Sequence, residues 1–303
     1  MNGLIQKYII KMDKLNEIIY FFCIHIKQHY DTFSWYDMAS GTTYYLIMGF
    51  IPFLVFLVNV MLYVMASQID FVLDAVTYYM PEKVAVTLSA NIQHAIAERS
   101  SVWMWMAGLF SMWNFVKGIE ILIRATDSTD FYSGEKREKF SRRQIRVHTK
   151  GIIFTFGMIF TIIISLGLTV FGNAVVYALD ERFPLSWLFL IAWNVLRFLL
   201  PFGVMVLWLT IFYIAAPHSY TPSFFHSFVT SLIVTGIFLF VTSIYSWAML
   251  IIPGMGAAYG PLIGLFGLLI WFNFIARSII FGIAFLISWN DYENANPIAE
   301  NQI

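Results

Sequence analysis

Apolar residues run in long stretches along most of this chain, and polar residues are gathered between them. Six stretches are long enough to cross a bilayer, because a helix needs about 20 mostly apolar residues to span about 30 Å of hydrocarbon. They lie at about 42–66, 102–124, 151–177, 186–215, 224–252 and 259–288, and a polar segment follows at 289–303. The pattern predicts an all-α, polytopic membrane protein whose residues 1–303 form a single membrane domain.

Two further segments have helical spacing of apolar residues without the length of a span. In the segment 1–40, apolar residues recur every three or four positions between about 4 and 26, and most lysines fall on the other side. This pattern predicts an interfacial amphipathic helix, lying either on the membrane surface or, solvated, beneath the bundle. A second short amphipathic helix is predicted after Pro81, between the first and second spans.

The composition supports a membrane protein and argues against a nucleic-acid-binding one. Hydrophobic residues make up 59% of the chain and charged residues 12%, whereas soluble domains carry about 25% charged residues. The formal net charge is zero, so no overall field attracts a nucleic acid, and we expect no such partner. Membrane lipids, including anionic ones, are the expected partners.

The distribution of lysine and arginine predicts the orientation of the chain. The N-terminal segment contains four of these residues, and the stretch from Arg124 to Lys150 contains eight. In a six-span protein both segments lie on one side, whereas the opposite side has only Lys83, Arg99 and Arg182. Because basic loops stay in the cytoplasm, we expect both termini to be cytoplasmic.

Three charged residues share one face of the second span. Lys117, Glu120 and Arg124 are spaced i, i+3 and i+7, so Glu120 can reach both cations. One interpretation is a polar cavity wall that binds an anionic ligand or headgroup. The other is that Arg124 and Glu120 lie at the interface while Lys117 extends its ammonium group towards it.

Two arginines and two prolines interrupt the later apolar runs. Arg197 lies in the fourth span, and Arg277 lies near the middle of the sixth without an acidic neighbour in that span. An arginine within hydrocarbon costs about 2.5–3.5 kcal/mol on insertion scales, so Arg277 is predicted to face the bundle interior, a cavity or Glu120. Pro52 and Pro201 predict helix kinks in the first and fourth spans.

The connection between the last two spans is rich in glycine. Gly256, Gly260 and Gly264 follow one another at intervals of four, a spacing that allows helices to approach closely. The interpretations are a hairpin turn with a glycine face and a re-entrant turn that binds a ligand.

The sequence offers no recognisable catalytic or metal site. We find no nucleophile elbow, zinc-protease motif, P-loop or dinucleotide-binding motif. His25 and His29 have metal-compatible spacing but no third ligand nearby. We therefore expect no cofactor, no metal and no enzymatic activity.

Three stretches resemble the YihY/BrkB family of bacterial inner-membrane proteins, historically labelled ribonuclease BN. The first is ASGTTYYLIMGFIPFLVFL, with Ala39, Tyr44, Tyr45 and Pro52. The second is the helix from Ser111 to Arg124 with the basic segment after it. The third is AAYGPLIGLFGLLIWFNFIARSIIFGIAF, with Tyr259, Gly260, Trp271 and Gly282. The resemblance implies six spans with cytoplasmic termini, and some members are suggested to handle lipids or other envelope components.

These observations favour a transporter or flippase-like protein for an anionic lipid or other envelope amphiphile. Its headgroup partners would be Lys117, Arg124, Arg197 and Arg277, with Glu120 setting their geometry. The alternative is a non-enzymatic scaffold for envelope assembly that recruits a partner through its basic loop. A membrane-bound hydrolase or nuclease is the third possibility, and the sequence offers no site for it.

Overall fold

Six long helices account for most of the structure, a computed structural model. It describes residues 20–26, 34–67, 69, 73, 86, 89–90, 93–94, 96–97, 100–127, 140–168, 176, 187–218, 220–251 and 256–295. The helices are α1 (Trp35–Ser67), α2 (Ser101–Thr126), α3 (Phe140–Leu166), α4 (Trp187–Ala215), α5 (Phe224–Ile251) and α6 (Gly256–Ala295).

Each of these six helices is long and apolar enough to cross a membrane, and the described residues contain no strand. The predicted all-α, six-span fold class is thereby confirmed. Several helices extend beyond the apolar stretches from which they were predicted. Helix α3 begins at Phe140 rather than near 151. Its first turns are basic and contact Glu120 of α2 and Asp127 just after it, so hydropathy alone does not locate its start. Pro52 and Pro201 both lie inside continuous helices.

The chain forms two compact units, one of residues 1–43 with 118–303 and one of Tyr44–Lys117. The prediction of a single membrane domain is not tested by this division. Within the second unit, close approach depends on two glycines. A Cβ at Gly49 would lie 2.7 Å from the Phe115 ring, and one at Gly108 would lie 2.9 Å from the Phe56 ring. Phe53 also packs edge-on against Phe115, with ring centroids 5.6 Å apart.

The core of the larger unit is built by α3, α4, α5 and α6, together with the first turns of α1 and the end of α2. Helix α5 packs against α4 and α6, and α3 packs against α4. At the centre, Tyr213 of α4 is fully buried and donates a hydrogen bond to the carbonyl of Ile279, 3.0 Å away. The Tyr213 hydroxyl lies where a Cβ on Gly282 would stand, so α6 can approach α4 only with a glycine at this position.

The predicted N-terminal helix is described only in part. Residues 20–26 are helical, and Phe22 stacks on Phe285 with centroids 5.3 Å apart. Phe21 packs edge-on against Tyr292, with ring centroids 5.3 Å apart. This segment therefore packs along the last part of α6. The remainder of the predicted helix, and most of the segment after Pro81, lie outside the described residues.

Candidate functional site

The first cluster of charged side chains surrounds Glu120, which is 3% exposed on α2. Its Oε2 accepts a hydrogen bond from Arg124 at 3.3 Å, one helical turn away. Its Oε1 lies 2.7 Å from Nδ1 of His148 on α3. Arg124 and His148 are about half exposed, so a buried carboxylate links two polar groups that reach the surface. This arrangement joins α2 to α3.

The second cluster surrounds Asp127, which follows the end of α2 and is 1% exposed. Its Oδ2 accepts a hydrogen bond from Nη2 of Arg146 at 3.0 Å and lies 3.8 Å from Nε of Arg143. Two arginines of the basic segment are thus held by a buried acid. Such a pair orients the segment, since removing the acid would leave Arg146 largely buried without its main counter-charge.

Lys150, at the end of the basic segment, caps a different helix. Its Nζ donates hydrogen bonds to the carbonyls of Ala216 and Pro217, at 3.0 and 3.3 Å. These carbonyls follow the last residue of α4, where helix carbonyls lack partners and carry partial negative charge. The basic segment therefore joins the ends of α2, α3 and α4.

A further cation, Arg277, lies on α6, and its described neighbour is an aromatic ring rather than a carboxylate. The guanidinium carbon of Arg277 lies 4.6 Å from the ring centroid of Tyr36, in the first turn of α1. Arg277 is half-buried, and its buried Nε has no hydrogen-bond acceptor among the described residues. No carboxylate in the described part of the chain contacts this side chain. The Tyr36 ring is 56% exposed, so the guanidinium lies at the edge of the packed core.

One turn earlier on α6, a polar contact also reaches α1. Nδ2 of Asn273 donates a hydrogen bond to the Thr43 hydroxyl at 3.2 Å, and that hydroxyl donates to the carbonyl of Ala39 at 2.7 Å. Asn273 and Arg277 are four residues apart and therefore lie on one helix face. Together they form a polar edge on α6, directed towards the first turns of α1.

The four cations and one acid proposed from the sequence as a binding site lie in different surroundings. Glu120 and Arg124 are brought together as their spacing predicts. Lys117 belongs to the second unit, where its Nζ lies 5.2 Å from the Trp113 ring centroid. Arg197 is half-buried on α4. Arg277 contacts Tyr36 rather than Glu120. A common binding site for all five residues stays a prediction.

The glycines and histidines singled out from the sequence are only partly described. An added Cβ at Gly264 would meet nothing within 4 Å. For Gly256 and Gly260, the structure gives their place at the start of α6 and no more. His25 stacks on Phe21, with centroids 3.8 Å apart, whereas His29 is outside the described residues. Among the described residues there is no group of three or more His, Cys, Asp or Glu suited to a metal ion.

Sequence reasoning missed three contributors to these sites. Asp127 follows a span and resembles an ordinary loop acid, and His148 is one of six scattered histidines. Tyr36 lies before the predicted start of the first span. For Asp127 a signal was present, since an acid next to a strongly basic segment is a candidate counter-charge. No one-dimensional pattern connects Tyr36 with Arg277.

The fold and these clusters define a polytopic helical membrane protein with buried ion pairs and, on its last helix, an arginine that contacts no carboxylate among the described residues. A family model described as virulence factor BrkB matches residues 26–302, and the chain belongs to this BrkB family. The ribonuclease-like protein YfkH of Bacillus subtilis is 25% identical over 265 residues, which cover 83% of this chain and 91% of that relative. No solved structure matches.

Proposed function

We propose that this protein binds an anionic lipid or a similar envelope amphiphile and moves it within or across the bacterial cytoplasmic membrane. Both termini would be cytoplasmic, as the distribution of basic residues indicates. The role would be that of a transporter or flippase and not of an enzyme, since the sequence carries no recognisable catalytic motif. The printed name of YfkH, ribonuclease-like, describes that relative and carries no argument for this chain.

The observation that carries the proposal is Arg277. It lies inside the candidate span Gly264–Tyr292, half-buried, with an aromatic ring as its described neighbour. A cation–π contact contributes about 0.5–2 kcal/mol, less than the cost of about 2.5–3.5 kcal/mol for an arginine in hydrocarbon. A phosphate or carboxylate would offset the difference, because the guanidinium fork binds such anions through two parallel hydrogen bonds.

The geometry supports the scaffold alternative less well. That alternative needs basic side chains of 136–146 to be available to a partner. Arg143 and Arg146 are engaged by Asp127, and Lys150, just beyond, by the end of α4. Two arginines of this segment are therefore engaged within the fold and less available to a partner, which favours the lipid proposal.

Native mass spectrometry of the gently extracted protein tests the proposal. We expect the parent to retain anionic lipids in preference to zwitterionic ones, and Arg277→Gln to retain about tenfold less, because a charge-assisted hydrogen bond contributes about 1.5–3 kcal/mol. Arg142→Gln is the matched control, since Arg142 is an exposed arginine of the basic segment. Equal lipid retention by the parent and by Arg277→Gln would contradict the assignment.

A further inference from the structure

An apolar cleft lies between α5 and α6, two helices that also pack directly against each other. Its volume is about 540 Å³. The α5 wall includes Phe240, Ile244 and Ala248, and the α6 wall includes Ile270, Trp271 and Phe274. Several of these side chains are about half exposed, among them Ile244 and Phe274, so the cleft opens to the outside of the helix pair.

The walls of the cleft are fixed in place by Trp271. Its Nε1 donates a hydrogen bond to the Thr242 hydroxyl, 3.1 Å away on α5. Its ring lies 6.0 Å from the Phe238 ring and 6.2 Å from the Tyr245 ring. The indole thereby holds the two helices at a set distance and satisfies its own polar group, which leaves the cleft with an apolar lining.

The cleft ends one helical turn from Arg277. Phe274 is its last lining residue on α6, and Arg277 follows at i+3 on the same side of the helix. Because side chains on a helix lean towards its N-terminus, the Arg277 side chain leaves the backbone on the Phe274 side, and its guanidinium lies against the Tyr36 ring. An apolar cleft and an anion-binding group therefore adjoin on one helix face.

We propose that this cleft is the acyl-chain subsite of the lipid site, with Arg277 binding the anionic head of the same molecule. The lining runs from Phe266 to Phe274 on α6, about 12 Å of helix at 1.5 Å per residue, so the cleft holds a segment of one acyl chain. The occupant is thus an anionic amphiphile that inserts a single acyl chain. The inference rests on the proposed function and adds the identity of the apolar half of its ligand.

The direction of the site also fits a lipid of one leaflet. In the proposed topology α6 runs towards the cytoplasm, so Arg277 lies on the cytoplasmic side of the cleft. A head at Arg277 with its chain along α6 towards Ile270 then has the orientation of a lipid in the cytoplasmic leaflet.

Photo-crosslinking with the full chain in detergent tests the subsite. The probe is palmitic acid with a diazirine in mid-chain, and the neutral control is the matching hexadecanol. With the parent protein alone, we expect the acid to label peptides containing residues 240–248 or 266–274. Ala248→Trp, which fills the cleft, should lower this labelling at least fivefold. Leu239→Trp should leave it unchanged, because Leu239 is exposed on α5 outside the cleft. Arg277→Gln should lower labelling by the acid and not by the alcohol.

Other outcomes separate the subsite from the proposed function. Charge-dependent labelling that Arg277→Gln lowers, but that falls outside these peptides or survives Ala248→Trp, overturns the subsite and spares the headgroup site. Labelling of the cleft by acid and alcohol alike, unaffected by Arg277→Gln, overturns both, since the cleft would be a non-selective apolar surface. Crosslinks between two copies through the cleft peptides would overturn the acyl chain as occupant.

Discussion

The guanidinium carbon of Arg277 lies 4.6 Å from the ring centroid of Tyr36, and this contact joins the middle of α6 to the first turn of α1. It places a cation of the last span beside the start of the first. The aromatic face offsets part of the arginine's charge through its quadrupole. The remaining charge is what makes Arg277 the strongest candidate for binding an anion.

A double-mutant cycle measures this contact. We predict a coupling energy of about 0.5–1 kcal/mol between Tyr36→Leu and Arg277→Gln, since the Tyr36 ring is more than half exposed. Tyr36→Phe, which keeps the ring, should behave like the parent protein. The readout is thermal unfolding of the detergent-solubilised protein. Strictly additive effects of the two substitutions would show that ring and guanidinium do not interact.

Gly282 should tolerate no side chain. A Cβ at this position would collide with the Tyr213 hydroxyl and lie 2.7 Å from Cγ2 of Val234. We predict that Gly282→Ala destabilises the protein by about 1–3 kcal/mol through overpacking, which lowers the apparent melting temperature by several degrees.

Gly203 provides the matched control for Gly282. It lies inside α4, and a Cβ there would meet nothing within 4 Å. Gly203→Ala should be neutral or stabilise by up to about 1 kcal/mol, because alanine favours the helix more than glycine does. Equal melting temperatures for Gly282→Ala and Gly203→Ala would contradict the packing of Tyr213 against α6.

Asp127 should be the principal acidic anchor of the basic segment. We predict that Asp127→Asn costs about 3 kcal/mol, the low end for breaking a buried ion pair, because Arg146 loses its main counter-charge. The loss should appear as a lower melting temperature and as faster proteolysis within 140–150. Asp37→Asn is the control, since Asp37 is exposed in the first turn of α1 and should contribute less than about 1 kcal/mol. Indistinguishable stabilities of the two variants would argue against the anchor.

The proposed topology can be tested with the natural cysteine. Cys23 is exposed and is the one cysteine in the sequence. A membrane-impermeant maleimide should label it in inverted membrane vesicles and spare it in intact cells. With Cys23→Ser as background, Ala90→Cys should show the opposite pattern, because residue 90 is an exposed position between the first two spans. Labelling of Cys23 in intact cells would reverse the assignment of the termini.

The six spans could be predicted because a bilayer imposes a length and an apolar composition on every helix that crosses it. The Glu120–Arg124 pair also follows from sequence, since residues four apart on a helix are neighbours. Helix ends were less predictable. The start of α3 is rich in arginine, and the charges of Arg143 and Arg146 find their partner, Asp127, only after the chain has folded.

The contacts between helices could not be predicted from the spacing of residues in the sequence. His148 meets Glu120 across two helices, and Arg277 meets Tyr36 across more than 240 positions of sequence. The α5–α6 cleft is likewise invisible in one dimension, because Ile244 and Ile270 read as ordinary lipid-facing residues. The cleft becomes visible only in the folded structure, where Trp271 links the two helices and both line the space beside it.

Lipid movement in reconstituted vesicles tests the central claim most directly. Parent, Arg277→Gln and Arg142→Gln proteins are compared in vesicles with chain-labelled fluorescent phosphatidylglycerol or phosphatidylcholine, and transfer between leaflets is followed by dithionite quenching. The account predicts that parent and Arg142→Gln move phosphatidylglycerol faster than phosphatidylcholine, and that Arg277→Gln is at least fivefold slower on phosphatidylglycerol. Transfer no faster than in protein-free vesicles, or equal rates for parent and Arg277→Gln, would contradict it.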